Sequence, residues 1–363
     1  MPDTLTRRQL NRATLDRQLL LRRDPMPAVQ AIARLGGMQA QAPLAPYTGL
    51  WSRLRGFDPG ELSGLIDARS VVRAHLLRNT VHLLTAPDYL DFRPLFVQLA
   101  GRAVRTNFAR GLAGADPEQV VARAGTTLSL SPLTRAELGR QLAQTWPAAD
   151  PRALAYVGCS SLSTVQVPPR GLWGKHGQAR FALAQDWLGQ PIPDRADPRA
   201  AERLVLRGIG GYGPMTVADL QQWSGLTRLR EITGRLAGQL RVFRDQDGAE
   251  LLDLPDAPRP DPDIPAPPRF LPEYDNLLLS HADRSRVIPH GRPVPLPAGH
   301  GSTQGTVLCD GQWQGTWRVA GGVLTIAGFI ALTGQAADAL AAEGSALLTF
   351  LGVAAPRISF SQV

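Results

Sequence analysis

Two glutamines one residue apart, Gln39 and Gln41, are the side chains whose type and spacing best suit chemistry. They follow Gly36-Gly37 and precede Pro43, which predicts a constrained turn or short extended piece in which alternation points both side chains the same way. A neutral amide is a poor general acid or base, but its carbonyl oxygen can hold a water molecule and place partial negative charge beside a developing cation. On spacing alone, a polar loop whose amides satisfy local backbone groups is the commoner explanation.

A basic segment at 167–176 is the second candidate. Pro168-Pro169 fixes an extended entry, Arg170 and Lys175 are positive, and Trp173 can pack or stack, which suits a loop that contacts phosphates. A place in the hydrophobic core explains Trp173 equally well.

Histidines and arginines supply two further candidates. His75 and His82 flank Arg78 on a predicted hairpin and could enter a nucleic-acid groove, although such histidines are more often satisfied inside a small sheet. Arg284 and Arg286 belong to a polar cluster that could also be a solvated face.

Composition narrows the class of function. Basic residues outnumber acidic ones by 39 to 31, the net charge is +8, and the pI is near 10.4, which favours a polyanionic partner such as nucleic acid. Lys175 is the only lysine, so 39 minus 1 leaves 38 arginines, a bias that a GC-rich genome explains in part. Arginine is also the residue that makes bidentate contacts to phosphate and guanine.

Several functional classes are excluded or disfavoured. The two cysteines, Cys159 and Cys309, have no metal-ligand spacing, and no glycine-rich phosphate loop is present, so we expect no metal and no cofactor. The apolar stretch Gly322–Leu332 is too short to span a bilayer, and the N-terminus lacks the apolar core of a secretory signal. These features predict a soluble, cytoplasmic (nucleoid-associated) protein that does not bind membranes.

The elements that position these candidates repeat in order. In the first copy, an amphipathic helix at 5–21 has an arginine-rich outer face and is capped by Thr4 or Thr6. A helix at 27–35 follows and stops at Gly36-Gly37, and a short helix after Pro59 leads into a hairpin at 70–85. The second copy has helices at 116–124, at 134–145 with Thr134 as cap, and from the cap Asp150 to about 160, then a strand at 163–167. The third copy has a helix at 197–207, a helix that opens at 213–216 and runs through Trp223, and a helix at 227–236. A hairpin about the Asp247-Gly248 turn follows them.

The last third of the chain changes character. Seven prolines within Pro255–Pro268 predict a semi-rigid linker. Beyond it, strands near 306–309, 315–319 and 322–326, a helix at 333–343 and a strand near Leu347–Leu351 predict a small β-rich unit. The predicted fold class is therefore α+β, with tandem winged-helix (helix-turn-helix) domains at 1–112, 113–194 and 195–254, a linker at 255–269 and a C-terminal unit at 270–363.

Five segments in the same order resemble one family, the tandem winged-helix DNA glycosylases that unhook interstrand crosslinks, known as AlkZ-like and AlkX-like proteins. The segments are Gln39–Gln41, Arg78–His82, Pro168–Trp173, Tyr212–Thr216 with Trp223–Leu226, and Leu271–Arg286. Gln39 and Gln41 match the family's catalytic Gln-x-Gln, and glutamine rather than aspartate at 41 resembles the AlkZ-like branch, which is tied to genotoxic natural products. The other segments imply a DNA-binding surface.

The resemblance implies a monofunctional DNA glycosylase without lyase activity, which acts as a monomer on double-stranded DNA carrying alkylated or crosslinked guanine. The expected DNA contacts are Arg78, His82, Arg170, Trp173, Lys175, Arg284 and Arg286. A non-catalytic winged-helix regulator, or a resistance protein that shields lesions, is the alternative, because a fold does not fix a function.

Overall fold

The computed structural model describes residues 3–97, 99–101, 108–289, 292–293, 304–331 and 334–362. Helices and strands both contribute throughout, so the predicted α+β class is confirmed. The chain divides into two compact units. Unit 1 comprises Met1–Phe57, Val205–Ser224 and Arg228–Val363, and unit 2 comprises Asp58–Leu204 and Gly225–Thr227. The finer division into five segments stays a prediction.

Unit 1 contains helices of 7 to 17 residues and two sheets. Its helices are Arg7–Arg17, Ala28–Arg34, Ala45–Trp51, Ala200–Tyr212 from Val205 onward, Val217–Ser224, Leu229–Arg235 and Gly334–Phe350. One sheet consists of Thr4–Leu5, Arg241–Asp245 and Glu250–Asp253, with the first pair parallel and the second antiparallel. The predicted hairpin of the third copy is therefore confirmed.

A five-stranded sheet lies in the C-terminal part of unit 1. Its strands follow chain order: Arg269–Leu271, Gly305–Cys309, Gln312–Ala320, Val323–Gly328 and Arg357–Gln362. All neighbours are antiparallel except the last two, which are parallel. Parallel strands need a crossover, and the helix Gly334–Phe350 supplies it.

This crossover helix corrects one prediction. A strand near Leu347–Leu351 was expected, but Leu347 and Leu348 are fully buried helical residues that pack on the sheet with Leu340. The spacing from Leu340 to Leu347 is two helical turns, and Gly344 between them allows close approach, since a Cβ there would lie 2.8 Å from Leu324 Cδ2. Helical packing has overridden the local strand propensity.

The helix Arg7–Arg17 confirms one expectation and corrects another. Thr6 caps it, and Gln9 completes the capping box. The arginine-rich outer face is wrong for Arg12 and Arg17, which are both fully buried. Arg17 donates to both carboxylate oxygens of Asp253, at 2.6 and 2.9 Å, because a buried guanidinium needs a paired carboxylate.

Unit 2 packs its helices against an antiparallel sheet. The helices are Pro59–Asp67, Ala86–Phe92, Pro117–Leu130, Arg135–Ala143, Pro151–Ser161 and Ala184–Leu188. Its strands lie in the order Val81–Thr85, Val71–His75, Thr164–Val167, Arg180–Leu183 and Leu133–Thr134. The predicted caps Thr134 and Asp150 are confirmed, and so is the hairpin at 70–85.

Candidate active site

The turn before Gln39 is fixed by two glycines. Gly36 and Gly37 have φ values of +63° and +94° and end the helix Ala28–Arg34, as the sequence predicted. A Cβ on Gly36 would also lie 2.8 Å from Trp223 Cζ2, so the position lacks space for a side chain. The turn delivers the chain into the short strand Met38–Gln39.

The two glutamines differ in exposure. Gln39 is 8% exposed, whereas Gln41 is exposed to solvent. Strand alternation led us to expect both side chains in the same surroundings, but one is buried and the other exposed. The reason is that the strand ends at Gln39 and the chain bends at Gln41. Gln39 lines a small pocket within unit 1, and Gln41 is not among the residues that line it.

That pocket is small and lined by both polar and apolar residues. The centre of a water molecule can occupy a volume of about 10 Å³ in it, which is room for roughly one water. The lining residues are Gln18, Leu35, Gly37, Met38, Gln39, Ala45, Arg53, Tyr212, Pro272, Asp275 and Asn276. A site of this size and polarity can hold a single water molecule beside the Gln39 amide.

A buried ion pair forms one wall. Arg53 donates through Nη1 and Nη2 to the two carboxylate oxygens of Asp275, both at 2.9 Å. Arg53 Nη2 also donates to Gln18 Oε1 at 3.2 Å, and Gln18 Nε2 donates to Gly211 O at 2.7 Å. Asn276 Nδ2 reaches Gly37 O at 3.4 Å. The network therefore ties the turn before Gln39 to distant parts of unit 1.

Sequence reasoning did not assign roles to Gln18, Arg53 or Asp275. Asp275 belongs to the polar cluster after the proline-rich linker, which was the only signal available. Nearby, burial raises the pKa of Glu273 above its ordinary value. The pocket therefore combines amide, carboxylate and guanidinium groups with little solvent to screen them.

Arg286 and Arg284 lie in different surroundings. Arg286 is 5% exposed and donates through Nη1 to Pro214 O at 2.8 Å, with Asp219 Oδ2 3.9 Å from Nη2. Arg286 therefore makes internal contacts in this structure, and its expected DNA contact stays a prediction. Arg284 is half-buried. Among the side chains that the structure describes, none accepts a hydrogen bond from its Nε.

Neighbouring His281 is also internal. Burial, followed by the charge of Arg286, lowers the pKa of His281 to about 4. The cluster of His281, Arg286 and Asp219 is therefore part of the interior of unit 1.

The hairpin of unit 2 holds Arg78 and His82 close together. His82 is fully buried, with Nδ1 3.1 Å from Thr80 O and Nε2 3.4 Å from Arg78 Nη2. In this structure His82 therefore supports the half-buried Arg78, and the expected DNA contact by His82 stays a prediction. His75 is half-buried, and burial and then the charge of Arg135 lower its pKa to about 3.

A basic loop at 168–179 joins the antiparallel strands Thr164–Val167 and Arg180–Leu183. Lys175 is exposed, while Arg170 and Trp173 are half-buried. Arg170 Nη1 donates to Gly177 O at 2.9 Å, and the backbone N–H of Trp173 donates to Ser63 Oγ at 3.2 Å. The structure thus brings these three predicted residues together on one loop of unit 2.

Comparison with known proteins decides the family. The DNA glycosylase AlkZ-like family matches residues 32–350. The chain belongs to this family. The solved structure of Streptomyces sahachiroi DNA glycosylase AlkZ matches with a TM-score of 0.81 and 19% identity, covering 99% of this chain and all of that one. A search of curated proteins finds no match.

Membership of the AlkZ-like family supports a DNA glycosylase role, with DNA as partner, and the AlkZ match supports the fold. Within the described ranges, no helix is long and apolar enough to cross a membrane. The same ranges contain no cluster of three or more His, Cys, Asp or Glu side chains that could hold a metal ion.

Proposed function

We propose that this AlkZ-like protein hydrolyses the N-glycosidic bond of bulky N7-alkylguanine and of guanine interstrand crosslinks, and leaves abasic sites. The observation that carries the proposal is the placement of Gln39, from the family's Gln-x-Gln pair, on a small pocket that it shares with Gln18, Arg53 and Asp275 and that has room for about one water molecule. The biological roles that follow are DNA repair and self-resistance to a genotoxic natural product.

The chemistry suits an amide. Guanine alkylated at N7 is already cationic, so it leaves without a strong acid. Hydrolysis passes through a sugar with oxocarbenium character, which needs a positioned water and nearby negative dipoles. The carbonyl oxygen of Gln39 holds the water, and the exposed Gln41 side chain faces the bound DNA. Water is the nucleophile, so the reaction includes no lyase step.

DNA binding uses winged-helix domains in this proposal. The loop at 168–179 is the wing of the second domain, and Arg170 and Lys175 contact phosphates there. The half-buried Arg78 and Arg284 are further contacts. A crosslinked base is tethered to the opposite strand and cannot be fully extruded, so the site must reach the lesion along an open groove.

The test is single-turnover excision from a duplex with one N7-methylguanine, followed by alkaline cleavage of the abasic site. A crosslinked duplex of the same sequence measures unhooking in parallel. Release of the modified base by the parent protein supports the proposal, provided that the unmodified duplex stays intact. If the protein binds both duplexes and releases no base, it is instead a non-catalytic regulator or lesion-shielding protein.

A further inference from the structure

A second cavity, wholly within unit 2, combines aromatic rings with arginines. Its volume of about 490 Å³ lies within the roughly 300–1,000 Å³ of small-molecule sites. Phe108 and Tyr156 line it and stack on each other, with ring centroids 3.9 Å apart and planes 20° from parallel. Both rings are half-buried, so the stack is a π surface that stays open to the cavity.

Three arginines surround this stack. Arg140 and Arg152 line the cavity from exposed positions, and the Cζ of half-buried Arg135 lies 5.4 Å from the centroid of the Tyr156 ring. Among the residues that the structure describes, those lining this cavity include no acidic side chain. Arg135 Nη2 lies 3.4 Å from Nε2 of His75, a histidine that stays neutral near pH 7 and so does not offset the charge of Arg135.

Two helices begin at this cavity. Arg135 begins the helix Arg135–Ala143, and Arg152 is the second residue of the helix Pro151–Ser161. Carboxylates already cap both helix ends, since the backbone N–H of Arg152 donates to Asp150 Oδ1 at 3.0 Å and that of Thr134 to Glu137 Oε2 at 2.7 Å. The positive charge at the cavity therefore comes from its arginine side chains.

A cavity in unit 1 provides the contrast. It is also lined by arginines, but Asp16 and Asp24 share its wall. Arg23 in that wall is paired with Glu343 at 2.7 Å. Carboxylates offset part of the arginine charge there, whereas the unit 2 cavity combines its arginines with an aromatic stack.

We propose that the Phe108–Tyr156 cavity binds one nucleotide, with the base extending the aromatic stack and the phosphate held by Arg140 and Arg152. Stacking on an aromatic side chain tolerates any base, and arginine supplies the phosphate contact. The nucleotide comes either from an unpaired stretch of DNA or from the free pool. This site is independent of the Gln39 chemistry, because it shares no residue with that pocket.

Calorimetric titration of the full chain with dGMP tests the site, with deoxyribose 5-phosphate as the ligand that lacks a base. The parent protein should bind dGMP at least about 10-fold more tightly than the sugar phosphate, since one stacked base is worth roughly that much. Phe108→Leu keeps apolar bulk without a ring and should weaken dGMP binding about 10-fold, while Phe108→Tyr should restore it.

Charge is tested separately. Arg140→Ala and Arg152→Ala should each weaken dGMP binding about 3- to 10-fold and reduce its salt dependence. The matched control is Arg123→Ala, which removes an exposed arginine of unit 2 outside the cavity and should change the affinity less than about twofold. All variants should retain the parent's thermal unfolding midpoint within a few degrees.

Competition with DNA separates the two sources. Displacement of dGMP by a duplex with a single-stranded overhang, and not by a blunt duplex, assigns the site to unpaired DNA. If neither duplex displaces dGMP, the site takes free nucleotides. Equal competition by the blunt duplex, equal binding of the sugar phosphate, or undiminished binding by folded Phe108→Leu would overturn the stacking site, whatever the excision assay shows.

Discussion

The Gln39 pocket and the basic loop at 168–179 hold their functional side chains in opposite ways. In the pocket, Gln39 is almost buried and the adjoining Arg53 and Asp275 form a bidentate ion pair. On the loop, Lys175 is exposed, and Arg170 is held by a backbone carbonyl on the same loop. Chemistry benefits from groups fixed before the reaction, whereas phosphate contact tolerates mobile cations.

The largest expected effect is on the excision rate, when the amides of the Gln39–Gln41 motif are removed. Gln39→Ala and Gln41→Ala should each slow single-turnover excision roughly 10- to 1000-fold, with the larger loss at Gln39 because it lines the pocket. The double variant should lose less than the product of the two, since both amides act in the same excision step. DNA affinity should stay nearly unchanged.

Gln30→Ala is the matched control, since it removes an exposed glutamine from the helix Ala28–Arg34. Its excision rate should equal that of the parent. Parent-like excision by both Gln39→Ala and Gln41→Ala would remove the catalytic assignment and leave the non-catalytic binder as the better explanation.

The second prediction concerns how firmly the pocket is built. Asp275→Asn leaves the Arg53 guanidinium buried without its counter-charge, and should lower the free energy of unfolding by about 3–5 kcal/mol. Urea unfolding measures this loss. Asp247→Asn, which breaks the exposed pair with Arg7, should change the midpoint little. Equal effects of the two substitutions would contradict the view that the pocket is the more rigid region.

The third prediction belongs to the loop. Arg170→Ala and Lys175→Ala should weaken binding to all duplex sequences about equally and reduce the slope of log affinity against log salt by about 0.9 each. Fluorescence anisotropy over a range of salt concentrations measures both quantities. Gln178→Ala, which removes an exposed neutral side chain from the same loop, serves as control. A loss confined to certain sequences would mean that the loop reads bases.

The smallest expected effect is the absence of a trapped intermediate. A lyase acting through a lysine would form an imine with the sugar, and Lys175 is the only lysine. Borohydride added during excision should therefore leave no protein joined to DNA on a denaturing gel, while a bifunctional glycosylase run alongside should be trapped. A trapped adduct of this protein would mean that Lys175 on the loop takes part in catalysis. The loop would then no longer differ from the Gln39 pocket as a region that only binds DNA.

Local signals accounted for much of the fold. Thr6, Thr134 and Asp150 cap helices, and Gly36-Gly37 ends one, because each acts on backbone groups a few residues away. The Gln39 pocket could be predicted only in part. Its Arg53–Asp275 pair joins residues 222 positions apart, and no spacing rule connects them.

Buried polar residues explain the remaining differences from the sequence-based expectations. Arg12, Arg17, His82 and Arg286 have the composition of a solvated or DNA-facing surface, yet each is buried and makes internal polar contacts. Partners such as Asp253 for Arg17 are brought close only by the tertiary fold. A basic composition therefore overstated the charge available to DNA.

The pairing of Thr4–Leu5 with Arg244–Asp245 has a consequence for synthesis on the ribosome. The residues are 240 positions apart, so at about 5–20 residues per second the first strand waits roughly 10 to 50 s for its partner to be translated. Nearly all of unit 2 is one continuous stretch, Asp58–Leu204, which emerges during that interval. Unit 2 can therefore fold while the N-terminal helix still lacks Asp253, the partner of its buried Arg17, which makes the nascent N-terminus a natural client for chaperones.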